Sequence, residues 1–331
     1  MWLLWIGFII IILLLLFLDL GVFNRRVHVI KAKEALLWTL FWIVLALLFD
    51  IFIYYAYKGN WFGIGLGEDH IKSGADAALK YFTGYIIEKS LSMDNIFVIA
   101  MIFSYFKIPA MYQHRVLFWG ILGALILRGI MIIAGTALIH KFSWMIFVFG
   151  AFLIVTAIKM LITRHDTIEP EKNILIRAAK KIYPVTSELH GAKFFIRDGH
   201  KHSMTPLFLV LLIIESTDVL FAVDSIPAIF AVTTDPFIVF TSNVFAILGL
   251  RSLYFALAAM MEQFRYLKIS LVFILAYVGV KMIFSHSYPI PTLVSLSIIA
   301  VILFVGVAAS IMVGKLEKEG KHNRKKKPDI E

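Results

Sequence analysis

Five carboxylates fall in two short, strongly apolar stretches of this chain. Glu88 and Asp94 lie in GYIIEKSLSMDNIFVIAMIF, which begins at Gly84; Glu215, Asp218 and Asp224 lie in PLFLVLLIIESTDVLFAVDSIPAIF, which begins at Pro206. An unpaired charge in hydrocarbon loses its hydration, so acids at that depth face a counter-charge, an ion or a polar interior. Together with Ser90, Ser92 and Asn95 they offer oxygen ligands only. Such donors suit Mg²⁺, Ca²⁺ or Mn²⁺ and disfavour Zn²⁺ or Cu⁺. Carboxylates also take up protons, so a metal ion and H⁺ could compete for one set of groups, which is the simplest antiport chemistry. Internal salt bridging is the competing explanation. Five basic residues, Lys89, Arg128, Lys159, Arg251 and Lys281, also fall within apolar runs. Asp19 and Asp50, near the ends of the first two runs, can reach the interface, so both are assigned to structure. With all seven acids counted, full pairing would still leave at least two unpaired or protonated.

On a helix, Glu215 and Asp218 share a face, whereas Asp224, six residues on, points about 120° away. Pro227 cannot donate to the carbonyl of Val223 and clashes there, so a kink or opening around Asp224 is expected, freeing carbonyls as extra ligands. Glu88 and Asp94 have the same six-residue offset without a proline. Arg128 and Arg251 are the expected counter-ions that hold the acids together between ions.

The elements that position these groups follow from composition. Apolar residues make up 60% of the chain and mean hydropathy is +0.87, more apolar surface than a soluble core of this size can use, so the chain reads as an integral membrane protein. Nine runs approach or exceed the roughly 20 residues that span a bilayer: 2–23, 36–57, 81–106, 116–138, 144–162, 206–230, 237–260, 267–284 and 292–313. The expected fold is all-α and polytopic, a single membrane domain over 1–313. A cytoplasmic insert occupies 163–205 and a basic tail 314–331. The first run has no basic residue ahead of it and reads as a retained helix. Within the insert, ILIRAAKKIY has the spacing of a short interfacial helix, and Thr205-Pro206 resembles a helix start. His190, His200 and His202 match no ligand motif.

Lys and Arg are distributed asymmetrically between alternate loops, 23 against 4. That places the N-terminus outside and the C-terminus in the cytoplasm of the inner (plasma) membrane. The pI near 9.6 arises from those loops, and nucleic acid is not an expected partner. The absence of cysteine removes disulfides, thiolate metal sites and dithiol chemistry.

The two acidic stretches also match each other. Ser92, Asp94, Phe97 and Ile99 fall on Ser216, Asp218, Phe221 and Val223. Asp94 precedes Arg128 by 34 residues and Asp218 precedes Arg251 by 33; Lys159 and Lys281 follow those arginines by 31 and 30. Helices three to five (81–162) and six to eight (206–284) therefore read as copies of one three-helix unit. An odd number of helices makes the second copy inverted, an architecture of secondary transporters whose sites lie near the midplane.

EKSLSMDNIFV and ESTDVLFAVDSIPAIFAVTTDPFIVFTSNVFAILGLRSLYF resemble the TerC family of integral membrane proteins, and the layout is closest to its nine-helix, Alx-like branch. The resemblance spans about 2–313. It implies manganese homeostasis, chiefly Mn²⁺ export, and kinship with LysE-type exporters. The family's functional acids correspond to Glu88, Asp94, Glu215, Asp218 and Asp224. The family takes its name from tellurite-resistance loci, but nothing in this chain supports tellurite chemistry directly. The resemblance narrows the ion to Mn²⁺, ahead of Ca²⁺ and Mg²⁺, which the residues alone do not separate.

The expected function is therefore a secondary transporter exporting Mn²⁺, with protons as a candidate counter-substrate. Asp94 and Asp218 would bind the ion, Glu88, Glu215 and Asp224 would complete the shell or carry protons, and Asn95 would add an amide oxygen. No GxxxxGK[ST] motif supplies ATP, and no HExxH or Ser/His pair suggests an enzyme. The rival is a membrane metallochaperone or scaffold that hands Mn²⁺ to secreted proteins without sustained flux.

Overall fold

The computed structural model describes residues 2–18, 32–64, 71, 73–162, 174–186, 188–198, 201–258, 267–285, 287–288 and 290–325. Asp19, His200 and the last residues of the tail lie outside them. The chain is mostly helical, and its first helices show why. In α1 (Trp2–Leu18) only a stripe at every fourth position, Leu4, Phe8, Ile12 and Leu16, is buried, and residues on the other faces such as Ile6, Ile10 and Phe17 are exposed. A helix apolar all round with one buried stripe has lipid as its solvent. The stripe meets an aromatic cluster: Phe8 contacts Phe49 of α2 (Ala32–Lys58), and Trp5 packs edge-on to Phe237.

The bundle continues with α3 (Gly74–Tyr105), α4 (Ala110–Lys141) and α5 (Met145–Ile162). A short insert follows, comprising α6 (Ile174–Ile182) and the hairpin β1 (Phe195–Asp198) and β2 (Lys201–Met204), antiparallel with Phe195 opposite Met204. Then come α7 (Pro206–Phe230), α8 (Pro236–Leu248), α9 (Leu250–Ala258), α10 (Leu267–Phe284) and α11 (Thr292–Lys325). Among the described residues, six stretches are long and apolar enough to cross a membrane: α2, α4, α5, α7, α8 with α9, and the first part of α11. α1 and α10 are apolar but shorter, and α3 carries Glu88, Lys89 and Asp94.

Packing sets the directions. α3 and α8 run parallel, with Gly84 beside Ser242 and Phe103 edge-on to Tyr254 just beyond the α8 end. α4 and α7 also run parallel, from Gly120 beside Ile214 to Gly135 beside Phe230. α5 and α10 are antiparallel and meet where a Cβ on Gly150 would stand 2.9 Å from the Gly279 carbonyl, and one on Gly279 2.8 Å from that of Gly150. Only glycine lets these backbones touch. α8 is buried along nearly its whole length, and its N-cap Asp235 accepts from the amides of Phe237 and Ile238 at 2.9 and 3.0 Å while its other oxygen takes the Tyr57 hydroxyl at 2.8 Å.

Three local expectations need correction, and one needs refinement. α7 stays helical through Pro227 to Phe230 instead of opening. A proline forfeits one backbone bond, but it lies close to the helix end, and Ile226, Ala228, Ile229 and Phe230 are buried around it. The break falls instead at Gly249, between α8 and α9, inside what reads as one apolar run. Thr205 is the N-cap of α7, as the Thr205-Pro206 pair suggests, with extended dihedrals; its hydroxyl accepts no cap bond from a helix amide and donates outward to the Lys193 carbonyl at 2.7 Å, which ties the helix start to the insert. The insert also carries the two strands, which an all-helix reading leaves out.

Candidate cation site

α3 and α7 cross antiparallel in the middle of the bundle, with Gly84 near Ile229 at one end and Asn95 near Thr217 toward the other. Their acids divide between two places. Glu88 is fully buried and meets the Arg128 guanidinium of α4 through Nη1. The same guanidinium binds Asp218 of α7 in a fork, Nη2 to Oδ1 at 2.8 Å and Nε to Oδ2 at 3.0 Å, and Nη1 also lies 3.3 Å from the Ser225 hydroxyl. Arg128 is 2% exposed and Asp218 16%. One planar cation thus joins three helices, a geometry that arginine satisfies and lysine does not. The remaining Glu88 oxygen accepts from Asn243 Nδ2 on α8 at 3.0 Å, and Ser92 donates to the first at 3.4 Å.

Asp94 and Asp224 point elsewhere. Both line a cleft of about 540 Å³ between α3, α5, α7 and α10, together with Thr156 and Lys159. Asp224 Oδ1 accepts from the Thr156 hydroxyl at 3.0 Å, within electrostatic range of Lys159. Arg128 and Asp218 line a smaller chamber of about 20 Å³ between α3, α4, α7 and α8, room for about one water-sized sphere. Asn95, Thr217 and Phe221 line both cavities and so form the partition between them. The cleft reaches along α3 to Met101, along α5 to Met160 and along α10 to Leu271. Those are the helix ends nearest the insert, so the cleft lies in the half of the bundle beside the Lys- and Arg-rich loops.

Glu215 occupies a third position. Its carboxylate lies against Gly123 of α4, where any Cβ would collide with it, and its Oε2 is buried without a hydrogen-bond partner among the described residues. The same is true of Asn243 Oδ1. Buried oxygens lacking donors are costly unless something positive approaches them, so the donor set fits a hard cation.

The gathering of all five acids around one point is not what the structure shows. Among the described residues no three acidic or histidine side chains converge as a ready-made metal cluster. Asp94 and Asp218, expected to share one ion, line different cavities. The cause is the 120° swing between positions six apart, which acts in α3 and α7 alike because neither helix opens.

The basic residues also part company. Arg128 is the counter-ion the spacing suggests, and Lys159 stands by Asp224. Arg251 is buried with its Nη1 3.1 Å from His114 Nε2 on α4. Lys281 donates to Ser295 of α11 at 3.2 Å. Lys89 reaches the last turn of α8, donating to the Ala246 carbonyl at 3.2 Å beside Gly249, where a broken helix leaves carbonyls without amide partners. Lys89 therefore serves the helix break. Sequence reasoning overlooked Asn243 and His114. Asn243 was legible as the one amide inside the seventh apolar run, while His114 precedes the expected start of the fourth and belongs to α4 because that helix begins at Ala110.

The profile of the "Integral membrane protein TerC family" matches residues 73–319. An uncharacterized membrane protein of Myxococcus xanthus is 50% identical over 93% of this chain and 92% of its own length. A Rickettsia bellii membrane protein, also uncharacterized, is 44% identical over 93% and 97%. A Salmonella typhi protein named "Putative membrane-bound redox modulator Alx" is 43% identical over 98% and 97%. No solved structure matches the chain.

Proposed function

From the premise that this chain belongs to the TerC family of integral membrane proteins, we propose that it is a secondary transporter that exports a divalent cation, Mn²⁺ foremost, from the cytoplasm. The observation that carries the reading is the pairing of two acid stations across one partition. Asp94 and Asp224 face the cleft beside the basic loops; Asp218 lines the chamber behind Asn95, Thr217 and Phe221 together with Arg128, which also holds the buried Glu88. The ion meets Asp94 and Asp224 first and then passes the partition to Asp218 and Glu88. Arg128 occupies the inner acids until the ion displaces it, so the buried carboxylates are never left without a positive partner. Glu215, beside Gly123, completes the shell or carries a proton. The all-oxygen donor set supports a hard cation, and the choice of Mn²⁺ rests on the family resemblance.

Nine spans with two inverted repeats account for the packing directions. Exchange of α3, α4 and α5 with α7, α8 and α10 turns the parallel α3–α8 pair into the parallel α7–α4 pair and maps the antiparallel α5–α10 pair onto itself. Rocking of the two units about the Gly150–Gly279 contact would give alternating access. The basic loops support a cleft on the cytoplasmic side, with the N-terminus outside the inner membrane and the C-terminus within.

The test is Mn²⁺ flux in liposomes containing the purified protein under an imposed pH gradient. Flux abolished by Asp94→Asn and by Asp218→Asn, with accompanying proton movement, is the expected result. Saturable Mn²⁺ binding without flux would replace the transporter by a metallochaperone.

A further inference from the structure

The insert presents a surface that the transport reading does not use. On α6, Ile176 is buried in the core cluster that holds Ile102, Leu207 and Leu253, and Ala179 packs half-buried against it. The adjoining flank of the apolar face is uncovered. Ile182 is 71% exposed, and Tyr183, which follows it, is 42% exposed. Tyr183 meets Phe195 of β1 edge-on, with ring centroids 6.0 Å apart, and Phe195, itself 44% exposed, lies 4.4 Å from Phe208. Phe208 belongs to the first turn of α7, so this apolar strip joins the level at which a membrane-crossing helix begins.

The opposite side of α6 carries Arg177, Lys180 and Lys181, all exposed. Beside β1, a recess of about 650 Å³ is lined by His190, Lys193, Phe195, Ile196 and Arg197, with no acid among them. A helix with one apolar flank docked on the protein, a second apolar flank uncovered and a basic face between them and water is built for the bilayer interface. Basic residues beside a membrane surface are drawn to anionic headgroups.

We propose that the insert is an anionic-phospholipid contact. Ile182, Tyr183 and Phe195 enter the headgroup–acyl boundary, Arg177, Lys180 and Lys181 bind lipid phosphates, and the recess beside Phe195 seats a headgroup. The proposal is independent of which ion the bundle carries.

The chain has no cysteine, so Ile182→Cys in the full-length protein gives a single spin-labelling position. Its accessibility to oxygen and to a water-soluble nickel chelate is measured in vesicles of phosphatidylcholine with and without phosphatidylglycerol. The expected result is an oxygen-favoured label with phosphatidylglycerol. The oxygen-to-nickel ratio should fall several-fold in pure phosphatidylcholine, in high salt, or when Arg177→Gln, Lys180→Gln and Lys181→Gln are combined. Glu188→Cys, on the exposed turn before the hairpin, should stay nickel-accessible throughout and shows that the insert as a whole is not occluded by self-association. A label at 182 that is nickel-accessible in both vesicles overturns the proposal. So does one that is oxygen-favoured in both and indifferent to the three glutamines.

Discussion

Arg128 and Arg251 stand at matching offsets from Asp94 and Asp218 in the sequence, yet the structure gives them different company. Arg128 lies between Glu88 and Asp218, drawing α3 and α7 onto α4. Arg251 contacts an imidazole, His114, on the early part of α4. Their lysines diverge in the same way, Lys159 toward the Asp224 cleft and Lys281 toward Ser295 of α11. A repeat fixes where charges enter the membrane, but the packed state decides which of them meet. On the proposed transporter reading, two inverted units in one state of the cycle would differ in this manner, because the state that opens one half closes the other.

The contrast can be broken most forcefully at Arg128. Arg128→Met strands the buried Glu88 carboxylate and the half-buried Asp218, and loss of one partner of a buried ion pair costs about 3–5 kcal/mol. Thermal unfolding in detergent should show a large fall in Tm, partly recovered when Glu88→Gln is added, since the double variant carries one fewer stranded charge. Gly123→Ala comes next. The added methyl would collide with the Glu215 carboxylate, and overpacking of this kind costs about 1–3 kcal/mol, so reduced Tm together with impaired Mn²⁺ flux is expected. Arg251→Met should be milder than Arg128→Met, at about 1–2 kcal/mol, because its contact with the His114 ring is a single hydrogen bond and not a fork onto carboxylates. An equal loss for the two arginines would erase the difference between the units. The smallest effect belongs to Lys89→Met, which removes one donor from the Ala246 carbonyl at about 1 kcal/mol. Faster hydrogen exchange confined to the α8–α9 junction is its expected signature.

Much of this was legible in the sequence. The apolar runs coincide with helices because no other backbone satisfies itself in lipid, and Arg128 was marked as a counter-ion by its offset from the acids. The insert helix was visible from its periodicity. What escaped was direction around each helix axis. Glu88 with Asp94, and Asp218 with Asp224, read as two clusters along the chain but face two cavities, because a straight helix turns 600° over six residues. Pro227 suggested that α7 would bend to reunite its acids, but buried neighbours hold it helical. Gly249, with no proline or polar run beside it, gave little warning that the seventh run would break there, and Lys89 took its role from that break.

On the proposed route a cation meets the Asp94–Asp224 station before the Asp218–Glu88 station. A titration of the purified protein with Mn²⁺, following loss of the free-ion magnetic resonance signal, compares Asp94→Asn and Asp218→Asn with wild type. With that order of stations, Asp94→Asn should sharply weaken binding. Asp218→Asn, though it blocks flux, should retain binding at the cleft. Binding abolished by Asp218→Asn and untouched by Asp94→Asn would contradict it.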